Sequence, residues 1–508
     1  MNTPVRTRLL TGRALALALV LLCVVIWCVH APFLRSGHDW SDDIAQYISH
    51  ALNLIASRPY GDIGYIANPW AIPGPATYPP VYPLLIAPLI ALWGADLHML
   101  KLLGVVMLCA SACAGVLLLR GRVGDRAALA IMALVALSPY FVGFRDEARP
   151  DTVFLFLTLI ALWLADRWCN GRLRWNAQLV AQGIALGVVA YLAYGTRSVG
   201  IVILPAVLAC ELLTRRRPGT VSMVAAAVAL AFAVVQSLTL HGDGGYAHLI
   251  RFDAPSILSN AKAYVLSLSV LFKNGLPAPF DTALRAALFL AASVFAVIGY
   301  VLRLRRGVSV LEVFTPLYMV PLSMYWIGTM IQQRYMLPLF PIYLYYAWTG
   351  LQWLCGRLPS RVGAGLGGAL AVALAIGYLS GHLNAPRGPI DPGLTSPGGQ
   401  ALLAEIRLHT PTDAVVLSGR ARAVALYAER TSLSPYGYRS DAELWRLIRD
   451  NRVSHVMIGL GDLATDMDYE HPDDLARFAA RFPHALQQQY ANADFRLMRV
   501  VAIPEGFR

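Results

Sequence analysis

Charge is what this sequence has least of. Asp, Glu, Lys and Arg make up 14% of its 508 residues, against 57% hydrophobic types, whereas an ordinary soluble domain is about 25% charged. With a mean hydropathy of +0.54, the composition excludes that class and describes an integral membrane protein. Acids are scarcest in the middle of the apolar stretches, where ion-coupled transporters carry them along a pathway, so transport is disfavoured. The seven cysteines (Cys23, Cys28, Cys109, Cys113, Cys169, Cys210, Cys355) sit within or beside apolar stretches, none in a polar loop or the tail. That leaves neither a disulfide framework nor a thiolate metal site. Internal repeats, a P-loop, a dinucleotide fingerprint and His-Glu-x-x-His are all missing. The net charge of +12 does not indicate nucleic acid, because the basic residues are scattered among short connections instead of gathering on one face.

What is present is a series of apolar spans of roughly 16 to 22 residues. They fall near 14–34, 98–119, 127–142, 151–167, 176–194, 198–213, 221–240, 284–302, 310–330, 335–354 and 363–382, about eleven crossings. Arg6, Arg8 and Arg13 ahead of 14–29 resemble a signal peptide, but Pro32 after Val29-His30-Ala31 and the length of the run favour an uncleaved first helix. With the N-terminus inside, the cytoplasmic connections carry Arg120/Arg122/Arg126, Arg167/Arg172/Arg174, Arg215/Arg216/Arg217, Arg303/Arg305/Arg306 and Arg357/Arg361, as the positive-inside rule requires. Val81–Trp93, with prolines at 73, 75, 79, 80 and 83 before and in it, is short for a crossing. Were it to cross, every later arginine cluster would move outside, so it is expected to lie at the outer surface. Loops at about 35–97 and 241–283, and turns at 143–150, 195–197 and 332–334, then face outward. The expected domains are a membrane region over 1–383, a Pro/Gly-rich linker over 384–399 and an outward α/β domain over 400–508. In that tail Val415–Leu417, 453–458 and 495–501 read as strands, Asp441–Asp450 and 472–482 as helices.

The outer side carries the chemistry. Residues 37–47 concentrate Asp39, Asp42 and Asp43 just beyond the first span. From Ile44 the apolar residues fall at Ile44, Tyr47, Ile48, Ala51, Leu52 and Ile55, the spacing of a helix with one greasy face, expected to lie flat on the bilayer. Ser41 as N-cap puts Asp42 and Asp43 in the first turn, where the dipole and unpaired N–H groups favour an ionised carboxylate, hence a base. Neighbours about 100° apart cannot both face one substrate atom, so the two take different jobs; a solvated cap is the bland alternative. Asp151 opens a later span beside Arg149 and is either a helix-end carboxylate or part of the same chemistry. Arg149, Arg197 and Arg334 each stand in a short outer turn. The planar guanidinium fork suits a phosphate; snorkelling to headgroups is the alternative for each alone.

In order along the chain stand Asp42-Asp43-Ile44-Ala45-Gln46-Tyr47, Tyr78-Pro79-Pro80-Val81-Tyr82-Pro83-Leu84, Leu137-Ser138-Pro139 and Arg149-Pro150-Asp151-Thr152. This pattern resembles the GT-C glycosyltransferases that use polyprenyl-phosphate sugars, chiefly the bacterial branch with the lipid A aminoarabinose transferase, and more distantly the protein O-mannosyltransferases. Thr196-Arg197-Ser198-Val199-Gly200 and Arg334-Tyr335-Met336-Leu337-Pro338 also resemble elements of that branch. The resemblance covers roughly 14–380 and faintly the tail. It implies a polytopic α-helical GT-C-like membrane domain with juxtamembrane helices in the first outer loop, joined to a small C-terminal α/β domain. It makes Asp42 the catalytic base or its neighbour, Asp43 the second acidic place, Asp151 the second-loop acid and Lys101 the basic residue opening the second span. One departure stands out: Thr77-Tyr78 precede Pro79 where the lipid A enzyme has an acidic–basic pair that serves metal and phosphate. No cofactor is therefore assigned and a divalent metal is left open, with His38 and Asp39 as alternative ligands against a structural role for His38.

The chemistry agrees. A sugar on a lipid phosphate has a leaving group that departs as an anion, which calls for a cationic clamp and no general acid. One carboxylate to take the acceptor's proton then suffices, unlike the paired carboxylates of glycosidases. The expectation is inversion with Asp42 as base, Asp151 orienting acceptor or base, and Arg149, Arg197 or Arg334 on the phosphate. Tyr47, Tyr78 and Tyr82 line the sugar and lipid path or else are interfacial belt residues. The expected partners are the lipid-linked donor, an acceptor hydroxyl on a lipid, glycan or protein, and membrane lipids, in a bacterial inner membrane with the active side outward. The competing readings are a lipid-glycan polymerase or ligase, a transporter or flippase, and a membrane-anchored sensor.

Overall fold

The computed structural model describes residues 10–40, 42–68, 77–169, 171, 173–240, 249–325, 333–391, 393–435, 438, 440–461 and 475–507, without the side chains of 42, 360–364, 366 and 367. Two compact units emerge, one of residues 1–34, 101–238 and 249–387, the other of 35–100, 239–248 and 388–508.

The first unit is a helical bundle: α1 (Gly12–His30), most of α4 (Leu97–Val123), α5 (Asp125–Ala136), α6 (Phe141–Arg145), α7 (Asp151–Trp168), α8 (Ala177–Thr196), α9 (Ile203–Arg215), α10 (Thr220–Thr239), α11 (Ala254–Ser267), α12 (Phe280–Arg306), α13 (Val310–Met324), α14 (Leu339–Cys355) and α15 (Ser360–Leu383). Among the described residues six helical segments are long and apolar enough to cross a membrane: Gly12–Phe33, Leu97–Val123, Ala177–Thr196, Ser198–Arg215, Thr220–Thr239 and Phe280–Arg306. Their outer surfaces stay apolar, as with Leu17, Leu230 and Leu290, each more than 60% exposed, which a bilayer tolerates and water does not. The span expected over 127–142 is shorter, because α5 stops at Ala136 before Ser138-Pro139; proline disfavours helix at the residue before it. The C-terminal part of the span expected over 310–330 lies partly outside the described residues, α13 ending at Met324.

Close packing in the bundle rests on glycine. A Cβ on Gly299 of α12 would lie 1.9 Å from the Tyr346 carbonyl of α14, and one on Gly350 2.1 Å from the Phe295 carbonyl. The two backbones meet there as in small-residue membrane contacts. The Leu137-Ser138-Pro139 turn is a knot of the fold: the His30 and His382 rings reach the Ala136 and Leu137 carbonyls, and Ser138 and Tyr378 both donate to the Leu271 carbonyl. At the opposite end of α4 and α7, Arg122 pairs with Asp166, and Arg303 stands 3.7 Å from Glu312.

The second unit is a six-stranded sheet with helices on both faces. Its strands are β1 (Tyr65–Ile66), β2 (Val415–Leu417), β3 (Thr431–Leu433), β4 (His455–Gly459), β5 (Leu486–Ala491) and β6 (Phe495–Val500), in the order β1-β3-β2-β4-β6-β5. The first four are mutually parallel and the last two join antiparallel. Alternation along each strand makes two cores. Val416, Met457 and Leu497 face α16 (Pro397–His409) and α17 (Ala421–Ala428), while Leu417, Val456 and Ile458 face α18 (Asp441–Asp450) and α19 (Leu475–Arg481). Trp40 and Ala45 belong to the first core. The strands and helices expected in the tail are present, but the first loop is woven in as well, through β1 and through backbone bonds from Ile390 to Ser36 and Leu394 to His38.

The second unit also holds α2 (Asp42–Ile55) and α3 (Val81–Trp93). Thirteen residues make about 20 Å of helix, less than the ~30 Å hydrocarbon core. The expectation of an α2 lying on the bilayer by one face is corrected. Residues 44–51 are all buried, the polar Gln46, Ser49 and His50 included, because α3 and α17 pack on it. Its polar side meets protein: Ser49 donates to the Ala45 carbonyl, and both ring nitrogens of His50 have partners. The Ser41 cap lies outside the described residues.

Candidate active site

The expected residues form two clusters, one in each unit. In the second unit Asp43 sits in the first turn of α2 and accepts a 2.6 Å hydrogen bond from the Tyr78 hydroxyl. Arg422 of α17 donates to the same hydroxyl at 3.0 Å and stands 3.9 Å from the Asp43 carboxylate. Its guanidinium lies 4.8 Å from the Tyr65 ring centre and 5.4 Å from that of Tyr78. The Arg422 side chain is 1% exposed; a buried cation needs an opposite charge and hydrogen bonds to be tolerable, and the aromatic faces add to its stabilisation.

His50 supports this arrangement from the next turn of α2. Its Nδ1 donates to the Tyr60 carbonyl at 2.8 Å, which leaves Nε2 as acceptor for the Tyr78 backbone N–H at 3.2 Å. Burial, aided by the Arg422 charge, pushes its pKa down to about 4, so the ring is neutral near pH 7. Tyr60 stacks on His50 and donates its hydroxyl to the Tyr78 carbonyl. Tyr47 packs against both Tyr78 and Tyr82 at about 5 Å, and all three are at most 5% exposed. The belt reading of these tyrosines is thereby corrected: they are interior. Asp42 opens α2.

In the first unit Asp151 is the first residue of α7, and Arg197 the cap of α8. They make a 2.7 Å ion pair whose side chains are 1% and 10% exposed. Arg197 lies over the Tyr335 ring at 5.1 Å, and Arg334 over the same ring at 5.7 Å. Tyr335 is thus shared by two guanidinium groups, and its carbonyl accepts from the buried Tyr318 hydroxyl. Among the described residues Asp151 Oδ2 and the fully buried Tyr264 hydroxyl have no hydrogen-bond partner. Tyr264 lies within electrostatic reach of Arg334 and Tyr335, Tyr140 within reach of Asp151, Arg149 and Arg334. Arg149 pairs with Glu147. Lys101 is 1% exposed at the start of α4; a Cβ on Gly104, three residues on, would meet Thr152 of α7 at 3.8 Å. Of the expected residues, the structure therefore brings together Asp151, Arg149, Arg197 and Arg334, and separately Asp43, Tyr47, Tyr78 and Tyr82.

For a metal the fit is poor. Among the described residues no three His, Cys, Asp or Glu side chains gather to hold one, and His38 is bonded to the Tyr427 hydroxyl at 2.7 Å. Sequence reasoning missed Arg422, Tyr65, His50 and Tyr264. Arg422 left a trace, one arginine inside Ala421-Arg422-Ala423-Val424-Ala425, a setting too apolar for a solvated face.

No family model and no curated protein matches the sequence. Solved structures do match. The archaeal oligosaccharyltransferase AglB from Archaeoglobus fulgidus, in complex with an inhibitory peptide and a dolichol-phosphate, aligns with TM-score 0.57 at 12% identity, over 87% of this chain and 69% of its own. The Archaeoglobus fulgidus oligosaccharyltransferase with Zn and sulfate gives 0.61 at 15% identity, over 91% and 70%. ArnT from Cupriavidus metallidurans, bound to undecaprenyl phosphate, gives 0.57 at 13% identity, over 97% of this chain and 99% of its own. The last likeness runs the length of both chains, through helical bundle and mixed sheet alike, and on it the chain has the GT-C fold.

Proposed function

We propose that the protein is a membrane glycosyltransferase that moves a sugar from a polyprenyl-phosphate donor to an acceptor hydroxyl on a lipid, glycan or protein, at the outer side of a bacterial inner membrane. The observation that carries this reading is the first-unit cluster: two guanidinium groups on one tyrosine ring, beside a carboxylate oxygen and a phenol that are buried and have no partner among the described residues. Buried polar atoms are nearly always satisfied; a bound hydroxyl donating to the carboxylate oxygen and a phosphate oxygen accepting from the phenol satisfy these. Two fold neighbours were solved with polyprenyl phosphates, in keeping with a lipid phosphate here.

In the reaction the acceptor oxygen attacks the anomeric carbon, the carbon–phosphate-oxygen bond breaks, and the lipid phosphate leaves with the electron pair. Arg197 and Arg334 take up the charge developing on the leaving phosphate, with Arg149 and Lys101 adding positive potential. Asp42 removes the acceptor proton, which gives inversion in a single displacement. Asp151, fixed by Arg197 through one oxygen, turns the other to the acceptor hydroxyl. Asp43 is held by Tyr78 and Arg422 and anchors the start of α2, so the adjacent aspartates divide the work. Tyr47, Tyr78 and Tyr82, buried against one another, hold α2 on α3 beneath Asp43 and act on the sugar site through that support. No step is routed through a metal. The test is Asp42→Asn in membranes supplied with lipid-linked sugar: transfer is expected to stop while the protein accumulates normally, and undiminished transfer removes Asp42 from the role.

A further inference from the structure

Helix α11 has two unlike faces. Asn260, Tyr264 and Ser267, at i, i+4 and i+7, are buried. Asn260 donates to the Ser323 and Tyr325 carbonyls at the end of α13, and Tyr264 stands by Arg334 and Tyr335. The other face carries Leu258 at 73% exposure, Val265 at 45% and Leu266 at 51%, with the exposed Lys262 among them, and Phe252 just before the helix is 78% exposed. Its one carboxylate, Asp253, is spent on the N-cap, accepting from the Ser256 N–H. Large apolar side chains around a single lysine on a helix otherwise pinned to protein fit the polar–apolar boundary of a bilayer, where the chain of Lys262 reaches a phosphate while its stem lies on hydrocarbon. The apolar surface continues onto α12, whose Phe280, Leu290 and Val297 are each more than 60% exposed.

We infer that α11 is an interfacial helix whose exposed face rests on lipid and whose buried face walls the Arg334–Tyr335 cluster, so that a lipid phosphate comes to these arginines from the membrane alongside it. The second half rests on the proposed function; the first does not. Two experiments separate them. In the full chain reconstituted in phosphatidylethanolamine–phosphatidylglycerol vesicles, a photoreactive benzoylphenylalanine at position 258 is expected to form phospholipid adducts, and one at the exposed polar position 446 none. Chain-to-chain adducts at 258 assign the face to a second copy, and labelling there only by a water-soluble reagent assigns it to solvent; either overturns the inference. For the lipid path, Leu258→Glu with Val265→Glu is expected to slow transfer about tenfold from a long-chain donor embedded in vesicles, and to leave transfer from a short-chain soluble donor within about twofold of the parent. Equal loss with both donors overturns the path while leaving the lipid contact standing, and lipid adducts formed by a protein that transfers no sugar overturn only the activity.

Discussion

Replacing Arg197 with methionine should harm the fold more than replacing both Arg197 and its partner. The pair is 2.7 Å long, Asp151 is 1% exposed, and its second oxygen has no partner among the described residues. Methionine at 197 strands a carboxylate away from water, which costs about 3 to 5 kcal/mol. Asp151→Leu with Arg197→Met removes the charge along with its partner, and such exchanges of a buried ion pair for apolar side chains are close to neutral. Thermal unfolding of the purified protein in detergent should therefore rank parent and double variant together, well above Arg197→Met. Sugar transfer should not follow that ranking: both variants lack a guanidinium for the phosphate and are expected to be inactive. A double variant that melts as low as Arg197→Met would refute the claim that the loss comes from an unpaired buried charge. A double variant that still transfers sugar would refute the clamp.

The neutral His50 makes the second unit sensitive to acid. Its pKa is about 4 in the fold against 6.5 ordinarily, so its contribution is complete above about pH 6.5, declines as the pH falls and is gone below about 4, a loss of about 3 kcal/mol. Hydrogen exchange at the Tyr78 amide, read from pH 7 to 4, should show it, and His50→Gln should flatten the dependence. Tyr78→Phe deletes a hydrogen bond to a carboxylate, worth about 1.5 to 3 kcal/mol; it should lower both melting temperature and transfer rate, and unchanged values would show that the hydroxyl does not hold Asp43. Gly350→Val cannot be placed without separating α12 from α14, and its yield in membranes should collapse relative to Gly356→Ala, where a Cβ meets nothing closer than 3.3 Å.

The spans were legible because an apolar run needs no partner to be recognised, and the tail's β2 and β4 because each is a short, buried run dominated by apolar residues. Three features resisted for physical reasons. Strand β1 is two residues long and pairs with a strand far along the chain, so no local pattern marks it. Helix α16 starts at Ser396-Pro397, a cap followed by proline at the first helical position, yet the surrounding Pro and Gly read as a linker. Arg422 belongs to the acidic cluster only by virtue of the fold, since nothing local says which face of α17 meets α2. Conversely, Asp151, Arg197 and Arg334 were readable from the short turns they occupy, whereas their shared tyrosine was quoted in a motif without a role.

The sheet that pairs Tyr65 with Ser432 also dates the molecule's completion. Roughly 370 residues of translation separate the two, about 20 to 70 seconds at ordinary ribosome speeds. Through that interval α2 has α3, Tyr60 and Tyr78 to pack on but lacks α17, and with it the Arg422 that stands by Asp43. Completion of the acidic cluster thus waits for the last fifth of the chain, and a ribosome that stalls before codon 422 leaves Asp43 with Tyr78 but without its guanidinium.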